Sequence, residues 1–226
     1  MNNIENGVFY GVGVGPGDEE LLTLKAVRII GQADVIVAPC AKNGGDSIAL
    51  KIIKKFIDNN TEVITKHFPM GDEDQQEKIY DAFLCISEKL SEGKNVVFIT
   101  IGDPLIYSTY IYLLKYIKEA GYKSFTIPGI TSFTAAAAAS SEILVIGNEP
   151  LLIIPGSRVK DIKEEKYVVI MKVYKCEEEI LNTLEEKGFK YVYVKKASRE
   201  GQEILRNREE ILRSKEYMAL IIASKK

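Results

Sequence analysis

Short apolar runs alternate with amphipathic segments through the first half of the chain, and this alternation restricts the fold more than any other feature. The runs are rich in β-branched residues, and each is followed by glycine or proline. Such runs predict strands, and the apolar spacing between them is that of helices. Strands are predicted at 8–14, 34–38, 62–67, 95–101 and 124–127. Strands that alternate with helices in this way indicate an α/β domain.

The second half carries four more predicted strands, at 151–154, 167–173, 191–195 and 217–223. Helices are predicted at 177–187 and over part of 203–214. A chain of 226 residues can form one large domain or two smaller ones. An alanine-rich segment follows the fifth strand, and we place the crossing between two domains there. The predicted domains are therefore 1–128 and 129–226.

The composition excludes several classes of protein. The net charge is −2, with 46% hydrophobic and 27% charged residues, so the one-sided basic charge of a nucleic-acid-binding protein is missing. The three cysteines, Cys40, Cys85 and Cys176, are far apart and predict neither a disulfide framework nor a zinc site. His67 is the only histidine and is expected to be a strand-end residue. No protein-bound metal is expected.

The chain also lacks the pattern of a membrane or exported protein. Its first residues do not combine a basic segment with an apolar core, and no apolar run approaches the roughly 20 residues that span a bilayer. We therefore expect a cytoplasmic protein that binds neither membrane nor nucleic acid.

The first predicted strand runs into the glycine-rich stretch 11–18, which a helix follows. Its spacing fits neither the G-x-G-x-x-G dinucleotide fingerprint nor a P-loop. Asp18, Glu19 and Glu20 would also place carboxylates beside a phosphate. Two interpretations remain open: a tight turn that binds nothing, and a site for an adenine cofactor without phosphates.

A second stretch, 100–109, delivers a carboxylate to the end of a fully apolar strand. Asp103 followed by Pro104 predicts a helix N-cap and the first helical position, which is a simple strand-to-helix junction. That interpretation does not explain Gly102. Open α/β sheets bind ligands at the carboxyl ends of their strands, so Asp103 could instead hold a hydroxyl or ammonium group.

A third stretch, 127–134, joins a Pro-Gly pair to the alanine-rich helix. The hydroxyl groups of Thr131 and Ser132 either cap this helix or face a ligand.

Together these stretches resemble the S-adenosylmethionine-dependent tetrapyrrole methyltransferases, and most closely the precorrin-2 and cobalt-precorrin-2 C20-methyltransferases of cobalamin biosynthesis. The resemblance rests on GVGVGPGD at 11–18 with LLTLKA at 21–26, GDPLIYST at 102–109 and IPGITSFTAA at 127–136. It implies two α/β domains, each with a mixed sheet, joined by a crossing helix with the cofactor cleft between the domains. It also implies a homodimer.

The resemblance implies a set of contacts with S-adenosyl-L-methionine. Those near the methionine and ribose portions would be Pro16, Ile101, Gly102, Asp103 and Ile106, with Thr131 and Ser132 from the crossing helix. Met171 and Ala219 would lie near the adenine.

The expected reaction is transfer of the sulfonium methyl group to C20 of the tetrapyrrole. Positioning supplies much of such a rate enhancement, so the sequence need not provide a nucleophile. No general base stands out, since His67, Asp72 and Tyr107 all have ordinary structural interpretations. Lys42, Lys66 and Arg158 are candidates to bind the substrate carboxylates.

Two alternatives stay open from the sequence. Within the family, the methyl group could go to another ring position or to uroporphyrinogen III. Outside it, the chain could be a non-catalytic sensor of adenine nucleotides.

Overall fold

The computed structural model describes residues 5–40, 45–68 and 75–226. It divides the chain into two compact units, with the boundary between Thr131 and Ser132. The predicted boundary at 128/129 falls a few residues earlier and stays a prediction.

The first unit is built on a five-stranded sheet with the order β3-β2-β4-β1-β5. Every pair of neighbouring strands among the described residues is parallel. The mixed sheet expected for this unit was therefore wrong, because helical crossovers return the chain to the same edge before each new strand. The strands are β1 (Phe9–Gly13), β2 (Val35–Cys40), β3 (Glu62–His67), β4 (Val96–Thr100) and β5 (Ser124–Ile127).

Helices cover both faces of this sheet, which explains why its central strands are apolar on both sides. One face packs against α1 (Leu24–Ile30) and α2 (Ile48–Ile53). The opposite face packs against α3 (Gln75–Ser91) and α4 (Tyr110–Glu119). Alternate residues of β4 enter the two cores, as the period of a strand requires.

The second unit has a mixed sheet with the order β6-β7-β10-β8-β9. Only β6 and β7 pair in parallel, while the other neighbours are antiparallel. This confirms the mixed sheet expected here. The strands are β6 (Leu151–Pro155), β7 (Tyr167–Met171), β8 (Lys190–Lys195), β9 (Glu203–Leu205) and β10 (Ala219–Ser224).

Three α-helices and a 3₁₀ helix (Gly156–Asp161) complete the second unit; the α-helices are α5 (Ser132–Ser140), α6 (Glu177–Glu186) and α7 (Arg208–Ser214). The alanines of α5 are buried where the helix packs on β10 and β8, and their small side chains permit a close approach. The helix predicted within 203–214 occupies only the later part of that range. Residues 203–205 pair with β8 instead, a tertiary contact that overrides the local helical pattern.

Candidate active site

Three loops meet at the carboxyl ends of β4, β1 and β5, which are neighbours in the first sheet. The loop after β1 leads to α1 on one face, whereas the loop after β4 leads to α4 on the other face. The connections therefore reverse direction between β1 and β4. Parallel sheets of this kind bind ligands outside the strands' carboxyl ends at such a switch point.

Glycines hold two of these loops against each other. The amide of Gly102 donates to the carbonyl of Gly15 at 2.7 Å, and the amide of Gly15 donates back at 3.3 Å. Both residues have a left-handed φ, 73° for Gly15 and 71° for Gly102, which glycine adopts without strain. The glycine-rich opening therefore has a structural role in closing the β1 and β4 loops onto each other.

Gly13 and Gly129 are required for a different reason, which is space. A Cβ atom on Gly129 would lie 2.2 Å from the carbonyl oxygen of Gly102. A Cβ atom on Gly13 would lie 2.6 Å from that same oxygen and 2.7 Å from the amide nitrogen of Gly129. Because these neighbours are backbone atoms, no side-chain movement can relieve the overlap. The β5 loop is thereby packed directly on the other two.

Asp103 links the β4 loop to the β5 loop. One carboxylate oxygen accepts from the amide of Leu105 at 2.9 Å, and the other accepts from the amide of Gly129 at 3.0 Å. An ionised carboxylate has about four acceptor positions, so two bonds leave it able to accept from a ligand as well. Asp103 is half-buried at this edge.

The prediction that Asp103 caps α4, with Pro104 in its first turn, was wrong. The helix begins at Tyr110, because Tyr107 has a φ of 48° that interrupts helical geometry. The buried Ser108 hydroxyl, rather than the Asp103 carboxylate, accepts from the amide of Tyr110 at 3.1 Å. Asp103 is thus free of the capping role and joins two loops instead.

Two pairs of hydroxyl groups form hydrogen bonds next to this loop. The hydroxyls of Ser108 and Thr100 are 3.1 Å apart, and the Tyr110 hydroxyl lies 2.6 Å from that of Thr126. Burial raises the pKa of Tyr110. The Tyr110 ring occupies the space that a Cβ atom on Gly11 would need. Ser108, Tyr110 and Gly129 were not predicted as organising residues; the close spacing of Gly102, Ser108 and Tyr110 was the available signal.

The structure brings the predicted contacts of the first unit to this same edge. Pro16 is buried directly after the Gly15 link, while Ile101 and Ile106 are half-buried on either side of Gly102 and Asp103. Thr131 follows two positions after Gly129. Two neighbouring side chains are largely exposed, Leu105 at 55% and Tyr107 at 43%.

The predicted contacts in the second unit also lie together, where β7 ends and the antiparallel β10 begins. Met171 ends β7 and pairs with Leu220 of β10, while Ala219 begins β10 and pairs with Lys195 of β8. Both predicted residues are half-buried. Ser132 is the first residue of α5.

Among the candidates for acid–base and carboxylate-binding roles, Tyr107 lies in the β4 loop, whereas His67 and Lys66 lie at the carboxyl end of β3, two strands away from β4. His67 ends β3, where its Nδ1 lies 3.3 Å from the carbonyl oxygen of Cys40, which confirms the strand-end prediction. Lys66 precedes it in the same strand, and Arg158 is exposed and paired with Asp161. Asp72 and Lys42 lie outside the described residues.

The first unit has a parallel sheet whose β1 and β4 loops are linked through glycines, and the second unit has a mixed sheet. These features are typical of α/β proteins that bind a small ligand at the carboxyl ends of their strands. The family model described as "Tetrapyrrole (Corrin/Porphyrin) Methylases" matches residues 8–212. The chain therefore belongs to the tetrapyrrole methylase family, and the resemblance seen in its motifs is confirmed.

Relatives and solved structures agree with this assignment. A Methanocaldococcus jannaschii protein named "Probable cobalt-precorrin-2 C(20)-methyltransferase" is 37% identical over 209 residues, 91% of this chain and 89% of its own. The "Cobalt-precorrin-2 C(20)-methyltransferase" of Salmonella typhimurium is 36% identical over 176 residues, 75% of this chain and 74% of its own. A Thermus thermophilus uroporphyrin-III C-methyl transferase, complexed with S-adenyl homocysteine, superposes with a TM-score of 0.75 at 21% identity, covering 97% and 98% of the two chains. The two-sheet α/β fold is thus confirmed.

The cofactor of this family, S-adenosylmethionine, fits the charges at the first edge. The Asp18 carboxylate already accepts from the amide of Glu20 at 2.9 Å, and Glu19 and Glu20 follow in the next turn. This arrangement disfavours phosphate but tolerates the sulfonium and ammonium cations of the cofactor. Within residues 5–40, 45–68 and 75–226 no group of three or more His, Cys, Asp or Glu side chains could hold a metal ion. None of the helices in these ranges has the length and apolar character needed to cross a bilayer.

Proposed function

We propose that the protein transfers a methyl group from S-adenosylmethionine to C20 of precorrin-2, or of its cobalt form, in cobalamin biosynthesis. The observation that carries this proposal is the 37% identity to a relative of that name across nine-tenths of the chain. The GDPLIYST and IPGITSF stretches support the choice of C20 over other ring positions by resemblance.

S-adenosylmethionine supplies a methyl group that is already activated on a sulfonium. The protein's own contribution is to position the cofactor and the tetrapyrrole and to limit the access of water. Asp103 is suited to hold a hydroxyl or ammonium group of the cofactor, because its carboxylate keeps acceptor capacity after bonding Leu105 and Gly129. The linked glycines around it fix that carboxylate in place.

The remaining cofactor contacts are proposed on the motif resemblance. They are Pro16, Ile101, Gly102, Ile106, Thr131, Ser132, Met171 and Ala219. Because Met171 and Ala219 lie at one edge of the second sheet, a single variant there tests that group independently of Asp103. We expect Met171→Glu to weaken binding of S-adenosylhomocysteine.

Calorimetry separates this proposal from the adenine-nucleotide sensor. The enzyme should bind S-adenosylmethionine and S-adenosylhomocysteine, and it should not bind ATP or AMP, because carboxylates follow the glycine turn. Tight ATP binding without S-adenosylhomocysteine binding would favour the sensor.

An activity assay then tests the reaction. Purified protein is incubated with the cofactor and, side by side, with precorrin-2, cobalt-precorrin-2 and uroporphyrinogen III. Mass spectrometry should show one added methyl group on either or both of the precorrin-2 forms. Methylation of uroporphyrinogen III alone would replace the C20 assignment with the alternative within the family.

A homodimer in the cytoplasm is part of the same proposal. An exposed aromatic patch on α3 and α4 supports self-association: the rings of Tyr80, Phe83 and Tyr116 lie 5.5–5.8 Å from one another, with exposed Leu84 and Tyr112 beside them. Light scattering should give the mass of two chains, and Tyr112→Glu should lower that mass.

A further inference from the structure

The loop that follows β8 has a strained backbone on both sides of an arginine, Arg199. Three of its residues are left-handed, with φ values of 49° at Lys196, 59° at Ser198 and 77° at Gly201. Only glycine adopts this region without strain, so the surrounding structure must impose the conformation of Lys196 and Ser198. Such strain is most often retained where it presents a functional group.

Hydrogen bonds fix this loop at both ends. The amide of Lys196 donates to the carbonyl of Met218 at 2.8 Å, and the amide of Arg199 donates to the carbonyl of Lys196 at 2.9 Å. The amide of Ser198 donates to the side-chain oxygen of Gln202 at 2.7 Å. Backbone hydrogen bonds of the loop therefore fix the Arg199 backbone.

The Arg199 side chain lacks a partner that matches its burial. Its Nε atom is buried and donates no hydrogen bond to any described residue. Burial lowers the pKa of Arg199, and the nearby Glu216 only partly offsets this. Glu216 itself accepts from the amide of Met218 at 3.0 Å and lies 3.6 Å from the ammonium of Lys196. A buried guanidinium nitrogen that donates no hydrogen bond costs stability, so its retention needs an explanation.

We propose that Arg199 binds a carboxylate of the tetrapyrrole substrate. This inference rests on the proposed function, which gives the substrate several carboxylates. Arg199 follows β8 by only a few residues, and Lys195 at the end of β8 pairs with Ala219, one of the predicted cofactor contacts. The Arg199 side chain is half-buried, and its planar guanidinium can bind a carboxylate with two parallel hydrogen bonds from its terminal nitrogens.

Arg199 suits this role better than the exposed Arg158. The Arg158 guanidinium is already paired with Asp161 inside one short turn. Lys195 likewise pairs with Glu203 at 2.8 Å. The described ion pairs include none for Arg199, so a substrate carboxylate would not have to displace a protein carboxylate.

The test compares Arg199→Met and Arg199→Lys with a matched control, Arg213→Met. Arg213 is 75% exposed and pairs with Glu209 on the surface of α7. Arg199→Met should raise KM for precorrin-2 about tenfold or more, while the Kd for S-adenosylhomocysteine stays unchanged. Arg199→Lys should recover part of the loss, and Arg213→Met should change neither constant.

The melting temperature distinguishes binding from a merely structural role. Removing a half-buried guanidinium whose Nε atom lacks a partner should leave the melting temperature of Arg199→Met unchanged or raise it. A lower melting temperature together with weaker S-adenosylhomocysteine binding would assign Arg199 to the fold and overturn the inference. An unchanged KM in Arg199→Met would overturn it as well.

A porphyrin titration keeps this test separate from the proposed reaction. Uroporphyrin, a stable polycarboxylate macrocycle, is titrated into wild-type protein and Arg199→Met and followed by absorbance. Weaker binding by the variant supports the inference even if precorrin-2 is not methylated. Equal binding by the two proteins, or no binding by the wild type, would contradict it.

Discussion

The edges of the two units that carry the proposed cofactor contacts are built in opposite ways. In the first unit, Gly13, Gly102 and Gly129 bring backbone directly against backbone. In the second unit, the strand ends carry left-handed residues with long side chains, among them Lys172, Lys175 and Lys196. The first edge leaves no room for a side chain at Gly13 or Gly129, whereas the second edge has strained backbone at several lysines.

Because of this difference, we expect substitutions at the first edge to affect mainly stability and substitutions at the second edge to affect mainly ligand binding. At the glycine-linked edge, backbone overlap cannot be relaxed, so substitutions should act mainly on the free energy of unfolding. At the strained edge, the loops carry exposed or half-buried charged side chains, so substitutions should act mainly on ligand affinity. The predictions below test this separation in order of expected effect.

Gly129→Ala should be the most damaging substitution. Its Cβ atom would meet the Gly102 carbonyl at 2.2 Å, which requires a shift of two loops. We expect a loss of about 3 kcal/mol or more in the free energy of unfolding, measured by urea denaturation. The matched control is Gly188→Ala in the second unit, where φ is 73° but no atom lies within 4 Å. It should cost only about 1 kcal/mol, and equal losses would break the comparison.

Asp103→Asn should affect both stability and affinity. An amide side chain offers one acceptor oxygen, so the amide of either Leu105 or Gly129 loses its partner. We expect about 1–3 kcal/mol of destabilisation and weaker binding of S-adenosylhomocysteine by calorimetry. Asp81→Asn on the exposed face of α3 serves as the control. Lost stability with unchanged affinity would limit Asp103 to joining the two loops.

Tyr107→Asn probes a bulky left-handed residue near the glycine-linked edge. Asparagine tolerates a φ of 48° better than tyrosine does, so relief of strain should leave stability unchanged or raise it by up to about 1 kcal/mol. Ile111→Asn, at an exposed position of α4 with ordinary helical geometry, is the control and should be slightly destabilising. A clear loss of stability in Tyr107→Asn would mean that the ring is held by packing.

Alkaline pH should destabilise the second unit through Tyr191. Burial, and then its 2.6 Å hydrogen bond to Glu185, raise the pKa of Tyr191 from 10.0 to about 12. The stabilising contribution is complete below the ordinary pKa and is lost as the pH rises toward the folded-state value. Urea denaturation at about pH 9 and about pH 11 should show a steeper loss for wild type than for Tyr191→Phe. Parallel pH profiles would contradict this assignment.

The strands were predictable because apolar β-branched runs ended at glycine or proline. Both Glu62–His67 and Ser124–Ile127 have the predicted bounds. β9 was missed because Glu203–Leu205 has no apolar run of its own and depends on its pairing with β8. Elements that are stabilised by distant partners leave little local signal.

The candidate site was predictable in its motifs but not in its contacts. The sequence correctly predicted Asp103 at a strand end. That Ser108, and not Asp103, accepts a hydrogen bond at the start of α4 depends on the left-handed Tyr107, which the sequence does not reveal. Arg199 lies in a charged segment where nothing local reveals its buried Nε atom. Burial of a charge is a tertiary property, and only the structure reveals it.

The central claim is that this chain methylates C20, and the position of the transferred methyl group tests it most directly. Protein is incubated with precorrin-2 or cobalt-precorrin-2 and cofactor carrying a ¹³C-labelled methyl group, and the product is analysed by NMR. The account predicts a single labelled methyl group bonded to C20. Label at any other carbon, or no label in either substrate, would contradict it.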